Sequence, residues 1–79
     1  MTKGTIRTER ITEPYTVYEA VCTIGSDTRV KRKIIDPELS DTDNHRAVAK
    51  MLAHSLAPDG FKMMGPFAEG RHAFSWAFK

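Results

Sequence analysis

The amino-acid sequence predicts an α+β fold, an antiparallel sheet of about four strands with one helix packed on one face. Residues 40–57 carry the only apolar pattern with helical spacing. Residues 72–79 alternate strictly between large and small side chains, which is typical of a strand. Extended segments separated by turn residues lie on both sides of the helix. We therefore predict the order β-β-α-β-β within a single domain, residues 1–79.

The helix is predicted from an apolar stripe that can face a sheet. Its start has two candidate capping residues, Ser40 and Asp41, and Pro58 and Gly60 end it. The stripe consists of Val48, Met51, Leu52, Ser55 and Leu56.

Two strands are predicted before the helix. Residues 15–24 alternate so that Tyr18, Ala20, Cys22 and Ile24 share one face, and residues 28–35 return after a turn at 25–28. Residues 1–13 are polar apart from Ile6 and Ile11, so we expect a frayed tail or an edge strand there.

Two further strands are predicted after the helix. Residues 61–64 form a short strand that Gly65 and Pro66 interrupt. In the final segment Phe74, Trp76 and Phe78 lie on one face, and we expect them to supply most of the core under the helix.

Length and composition limit the classes of function. The chain has 79 residues and one cysteine, so it contains no internal disulfide and fits a reducing, cytoplasmic setting in a host cell. No apolar run has the length of a membrane helix, so we expect no membrane partner. The histidine spacings do not match zinc motifs and no phosphate-binding loop is present, so we expect no metal, no cofactor and no enzymatic activity.

Charge is segregated along the chain. Arg29, Lys31 and Lys33 alternate on one face of the second predicted strand, and we expect them on the sheet face that the helix leaves uncovered. Residues 36–44 form an acidic corner with four carboxylates and no Lys or Arg: Asp36, Glu38, Asp41 and Asp43. The basic strand fits solvated protection of a sheet edge and a binding surface equally well.

A protein partner is expected to contact both charged regions. The candidate partner-binding residues lie on the basic strand, at the helix start and on the polar side of the helix: Arg29, Lys31, Lys33, Asp41, Asp43, Arg46 and Lys50. Such charges mainly raise the association rate and fix the register of binding.

The size, the β-β-α-β-β layout and the lone Cys22 resemble those of small phage or mobile-element anti-CRISPR proteins that inhibit type I effector complexes. The resemblance covers the whole chain, but it lies in size and layout. Neither residues 17–24 nor residues 72–79 form a diagnostic motif, so no functional residue is carried over. It implies a non-enzymatic inhibitor that binds the type I effector complex (Cascade) in the host cytoplasm and blocks binding of target DNA. Inhibitors that mimic DNA are strongly acidic, whereas this chain has a net charge of +2.

A second hypothesis is a small nucleic-acid-binding module that uses the basic sheet face. In that case cations contact phosphates, and an aromatic side chain such as Tyr15 stacks on a base. A monomer and a homodimer both fit, because an uncovered sheet face or edge can pair with a second copy.

Overall fold

The computed structural model describes residues 4–79, which form an α+β fold with a five-stranded antiparallel sheet and one helix. The elements in chain order are β1 (Gly4–Ile11), β2 (Val17–Ile24), β3 (Asp27–Ile34), α1 (Asp41–Leu56), β4 (Met63–Gly70) and β5 (Ala73–Phe78). The predicted order of two strands, helix and two strands is confirmed, with β1 added in front of it.

The N-terminal segment forms the central strand of the sheet. The strand order is β3-β2-β1-β5-β4, and β1 pairs antiparallel with both β2 and β5. The expectation of a frayed tail or an edge strand is therefore wrong for residues 4–11, while residues 1–3 lie outside the described part. Ile6 and Thr8 are completely buried on the helix side of β1. The polar composition was misleading because the other side of this strand faces solvent.

Helix α1 begins and ends where the sequence predicts. Ser40 is the N-cap, and its side chain accepts a hydrogen bond from the backbone N–H of Asp43 at 3.1 Å. The predicted stripe is only partly right, because Val48 and Leu52 are buried whereas Met51 and Ser55 are exposed. The rest of the buried face is made of small and polar residues: Asn44, His45, Ala49 and Ala53.

Asn44 fixes the connection between β3 and α1. Its side-chain oxygen accepts from the backbone N–H of Asp36 at 2.8 Å. Its amide nitrogen donates to the backbone oxygens of Asp36, Leu39 and Ser40. A fully buried amide with this many partners holds the loop against the first turn of the helix.

The core lies between α1 and one face of the sheet. Trp76 and Phe78 are fully buried and Phe74 is partly buried, which confirms that the final strand carries the aromatic core. Tyr18, Ala20 and Cys22 share the helix side of β2, as their alternation predicts. Burial raises the pKa of the Cys22 thiol, so this side chain behaves as a small apolar core residue.

Strand β4 is irregular, as Gly65 and Pro66 predict. Its pairing with β5 shifts register between Met64 and Phe67 and again between Ala68 and Gly70. Gly65 has φ +139° and approaches β5 so closely that a Cβ atom there would lie 3.0 Å from the backbone oxygen of Ser75. Only glycine fits this position.

The helix of the described part, residues 4–79, lacks the length and the apolar character needed to cross a bilayer.

Shortening Ile6 to alanine tests the central position of β1. We expect Ile6→Ala to lower the free energy of unfolding by about 2–5 kcal/mol, since it leaves a cavity between the sheet and α1. Thr5→Ala is the matched control, because Thr5 is the neighbouring residue on the exposed side. Urea denaturation measures both. Equal and small effects would contradict a buried central strand.

Candidate functional site

The basic strand lies at the edge of the sheet, with its cations on the helix side. In the β2–β3 ladder Arg29 lies opposite Cys22, Lys31 opposite Ala20 and Lys33 opposite Tyr18. Residues directly opposite in a ladder share a face. Because Cys22, Ala20 and Tyr18 are buried under α1, the expectation that Arg29, Lys31 and Lys33 lie on the uncovered face is wrong.

The uncovered face of β3 carries the other alternate set of side chains. Val30 is 47% exposed and Ile34 is 65% exposed there. Arg32 lies between them and its Nε donates to Glu19 Oε2 at 2.7 Å, which neutralises its charge. The open face of this strand is therefore apolar and electrically balanced.

The three cations on the helix side remain available for binding. Arg29 and Lys31 are exposed and Lys33 is half-buried. Within residues 4–79, none of the three lies within ion-pair distance of a carboxylate. We call these three residues the cationic row.

Most carboxylates of the acidic corner accept hydrogen bonds from other groups of the protein. Asp36 Oδ1 accepts a hydrogen bond from the backbone N–H of Glu38 at 3.0 Å. Asp41 accepts from the hydroxyl of Tyr18, and Asp43 accepts from the guanidinium of Arg46. Three of these four carboxylates therefore already have partners that stabilise the loop and the helix start.

Asp41 is the centre of a group of polar side chains at the helix start. Tyr18 Oη donates to Asp41 Oδ1 at 2.8 Å, and Arg10 Nη1 lies 3.7 Å from the same oxygen. Burial of the phenol and this hydrogen bond raise the pKa of Tyr18 to about 12. The other oxygen, Oδ2, lies 3.7 Å from His45 Nε2. This group connects β1, β2 and α1.

A buried hydrogen-bonded cluster continues inward from Asp41. Thr8 Oγ1 lies 2.9 Å from His45 Nδ1 and 2.9 Å from Trp76 Nε1. The indole can only donate, so Thr8 Oγ1 accepts from Trp76. The Thr8 hydroxyl donates to His45 Nδ1 when the imidazole carries its proton on Nε2, and it accepts from Nδ1–H in the other tautomer. The imidazole also packs edge-on against Tyr18 and Phe74.

The sequence of hydroxyl, imidazole and carboxylate in this cluster looks like a nucleophile with its base. Thr8, however, has 0% exposure and its oxygen already binds Trp76, so no substrate reaches it. The Thr8–His45–Trp76 cluster instead satisfies polar groups inside the core and sets the position of the helix on the sheet.

The remaining predicted contact residues lie on the opposite flank of the helix. The guanidinium of Arg46 lies 5.6 Å from the centre of the Trp76 ring, which places it on the β5 side of α1. Lys50 follows one turn later and is exposed. The fold therefore separates Arg46 and Lys50 from the cationic row, since α1 lies between them.

Sequence reasoning missed the buried polar cluster. Thr8 lies in the segment that we expected to be a tail or an edge, and His45 was not part of the predicted apolar stripe of the helix. One signal was available, because His45 lies at helical spacing from Val48, Ala49 and Leu52.

Comparison with known proteins gives no relatives. No known protein family, no curated protein and no solved structure matches this chain.

Removing the Thr8 hydroxyl tests the cluster. Thr8→Val keeps the shape of the side chain but leaves Trp76 Nε1 and His45 Nδ1 without a partner, so we expect a loss of about 2–4 kcal/mol of stability. Thr8→Ser keeps the hydroxyl and should lose less. Thermal and urea unfolding measure the difference. A valine variant as stable as the serine variant would contradict the hydrogen bonds.

The cluster also predicts a pH dependence of stability. Burial lowers the pKa of His45 below its ordinary value of 6.5. Between the lowered pKa and 6.5 the unfolded chain binds more protons than the folded one, so stability is full above pH 6.5 and falls as the pH drops below it.

Urea unfolding at several pH values and NMR titration of the imidazoles measure this dependence. The ordinary imidazole pKa of 6.5 is the reference, and His45 should titrate below it. If His45 titrated at or above pH 6.5, the buried neutral imidazole would be disproved.

Proposed function

We propose that this protein is a non-enzymatic inhibitor that binds a protein complex of its host cell. The observation that carries the proposal is the cationic row, Arg29, Lys31 and Lys33, on an exposed edge strand without neutralising carboxylates among residues 4–79. A partner with an acidic surface supplies the missing countercharges.

The target that we propose is a type I CRISPR effector (Cascade), on the basis of the resemblance in size and layout to anti-CRISPR proteins of phages and mobile elements. The inhibitor acts by steric occlusion of the DNA-binding path, and a body of 35 × 24 × 21 Å is wide enough to cover a duplex groove about 12 Å across. The row docks on acidic residues beside that path.

Imitation of DNA phosphates by the acidic corner contributes little to this mechanism. Asp36, Asp41 and Asp43 already accept hydrogen bonds within the protein. Part of their capacity to accept hydrogen bonds and to pair with cations is therefore already used within the protein. In the proposed inhibitor the cationic row is therefore the main contact, and Arg46 and Lys50 form a separate secondary surface on the far flank of α1.

A nucleic-acid-binding module is the second candidate, and one further feature favours it. Tyr15 is 61% exposed and lines a groove with Arg32, Lys33 and Ile34 at the end of β3. An exposed aromatic ring beside cations can stack on a base while the cations contact phosphates. Direct binding of this kind weakens steeply as salt rises.

Charge reversal of the cationic row tests the proposed function. We expect the wild-type gene, expressed in bacteria whose type I CRISPR system blocks a phage, to restore plaque formation. The triple variant Arg29→Glu, Lys31→Glu, Lys33→Glu should lower the plaque count by about 10-fold or more, because three attractions to the acidic surface of the partner become repulsions. Plaque counts at equal protein levels measure the effect.

Arg71→Glu is the matched control, since Arg71 is an exposed cation in the turn between β4 and β5, at the other end of the sheet. It should behave as wild type. Unchanged phage immunity against every type I system tried would exclude the anti-CRISPR proposal. A shift of labelled DNA or RNA by the purified protein, lost in the triple variant and in high salt, would favour the nucleic-acid module.

A further inference from the structure

The outer edge of β3 carries free backbone hydrogen-bonding groups, and pairing with β2 identifies them. The backbone N–H of Ile35 donates to Thr16, and in an antiparallel ladder bonded pairs alternate with unbonded ones. The bonded residues of β3 are therefore the odd-numbered ones. The N–H and C=O groups of Thr28, Val30, Arg32 and Ile34 point away from the sheet.

Among residues 4–79, charge is the one form of edge protection that this strand has. The ladder runs without interruption from Val17 and Ile34 to Ile24 and Asp27, and β3 contains no proline. The other edge strand, β4, contains Pro66 and two register shifts. Of the two sheet edges that residues 4–79 form, β3 is therefore the one that can accept an added strand along its full length.

The side chains of β3 determine which residue types the added strand must contain. Alternate residues of a strand lie about 7 Å apart on the same face, so Arg29, Lys31 and Lys33 require acidic residues at every second position of the added strand. On the open face Val30 and Ile34 favour apolar or β-branched residues opposite them.

We propose that β3 binds an extended acidic segment of a partner protein by strand addition. In such binding, main-chain hydrogen bonds supply affinity and alternate side chains supply specificity. The inference rests on the proposed function for the premise that the partner is a protein. It adds the partner's chemistry, an exposed strand with acidic residues alternating with apolar or β-branched ones.

A second copy of this chain does not fit the edge. Antiparallel pairing of β3 with β3 of another copy keeps both helices on the same face of the joined sheet. The cationic rows then lie opposite each other, and like charges in directly opposite positions are destabilising. The row thus opposes self-pairing and favours an acidic partner.

Nucleic acid fits the edge less well than a peptide strand. The outward groups of Thr28, Val30, Arg32 and Ile34 include carbonyl oxygens as well as N–H donors. Phosphate oxygens only accept hydrogen bonds, so they leave these carbonyls without partners, whereas a peptide strand satisfies both kinds of group.

A synthetic peptide tests the inference directly. The probe is a blocked nine-residue peptide, Ser-Glu-Val-Glu-Thr-Glu-Val-Glu-Ser, with its acids on one face. The control peptide contains Lys in place of each Glu. We expect the acidic peptide to slow amide hydrogen exchange at Val30 and Arg32 in the wild-type protein at least about 5-fold. The Lys peptide should leave exchange there unchanged.

Proline at an outward position separates strand addition from simple charge attraction. Val30→Pro removes an outward donor and no β2–β3 hydrogen bond, because proline is tolerated at the solvent side of an edge strand. We expect the peptide to bind this variant about 10-fold more weakly, as measured by fluorescence anisotropy. Val30→Ala keeps the N–H and is the matched control, with near wild-type affinity expected.

The outcomes distinguish the inference from the proposed function. If the peptide bound Val30→Pro as well as Val30→Ala, or bound without slowing exchange at Val30 and Arg32, strand addition would be overturned. The proposed inhibitor would still stand if charge reversal of the cationic row lowered plaque counts. Strand addition would also be overturned if single-stranded DNA, and not the peptide, bound the protein and slowed exchange at Val30 and Arg32. The exchange experiment uses wild-type protein, so it tests strand addition even if the proline variant does not fold.

Discussion

The pairing of β1 with both β2 and β5 joins the two halves of the sheet and aligns them under α1. The β2–β3 and β4–β5 hairpins are each local in sequence, and within the sheet they meet only through β1. Its registers decide which faces of the two hairpins lie together under α1. Thr8 of β1 has hydrogen-bonding partners on β5 and on the helix. The central strand therefore sets the position of both the sheet and the helix in the core.

Polar groups, and not only apolar packing, set the position of the helix. Asn44 fastens the preceding loop, His45 binds Thr8, and Asp41 accepts from Tyr18. A buried polar group is stable only with its particular partners, so these contacts favour one placement of α1 over others with similar apolar burial. The same contacts occupy the helix start, whereas the cationic row of β3 has no carboxylate within ion-pair distance among residues 4–79.

The two edge strands of the sheet differ in regularity. Gly65 and Pro66 interrupt β4, whereas β3 is regular and carries its cations on the helix side. Cations on an edge strand oppose self-association, and in the strand addition that we propose the same cations recognise an acidic strand. The protective and the binding interpretations of β3 therefore describe one physical property, which acts differently toward a second copy and toward a partner of opposite charge.

Local signals in the sequence predict the α+β class, the helix with its caps over residues 40–57 and the aromatic face of β5, because capping, helical spacing and strict alternation involve residues close together in the chain. They also mark Arg29, Lys31 and Lys33 as a group. The central position of residues 4–11, the burial of His45 and the helix-side placement of the cationic row became visible in the folded structure alone. Alternation divides a strand into two faces, but which face the helix covers depends on pairing between segments far apart in the chain.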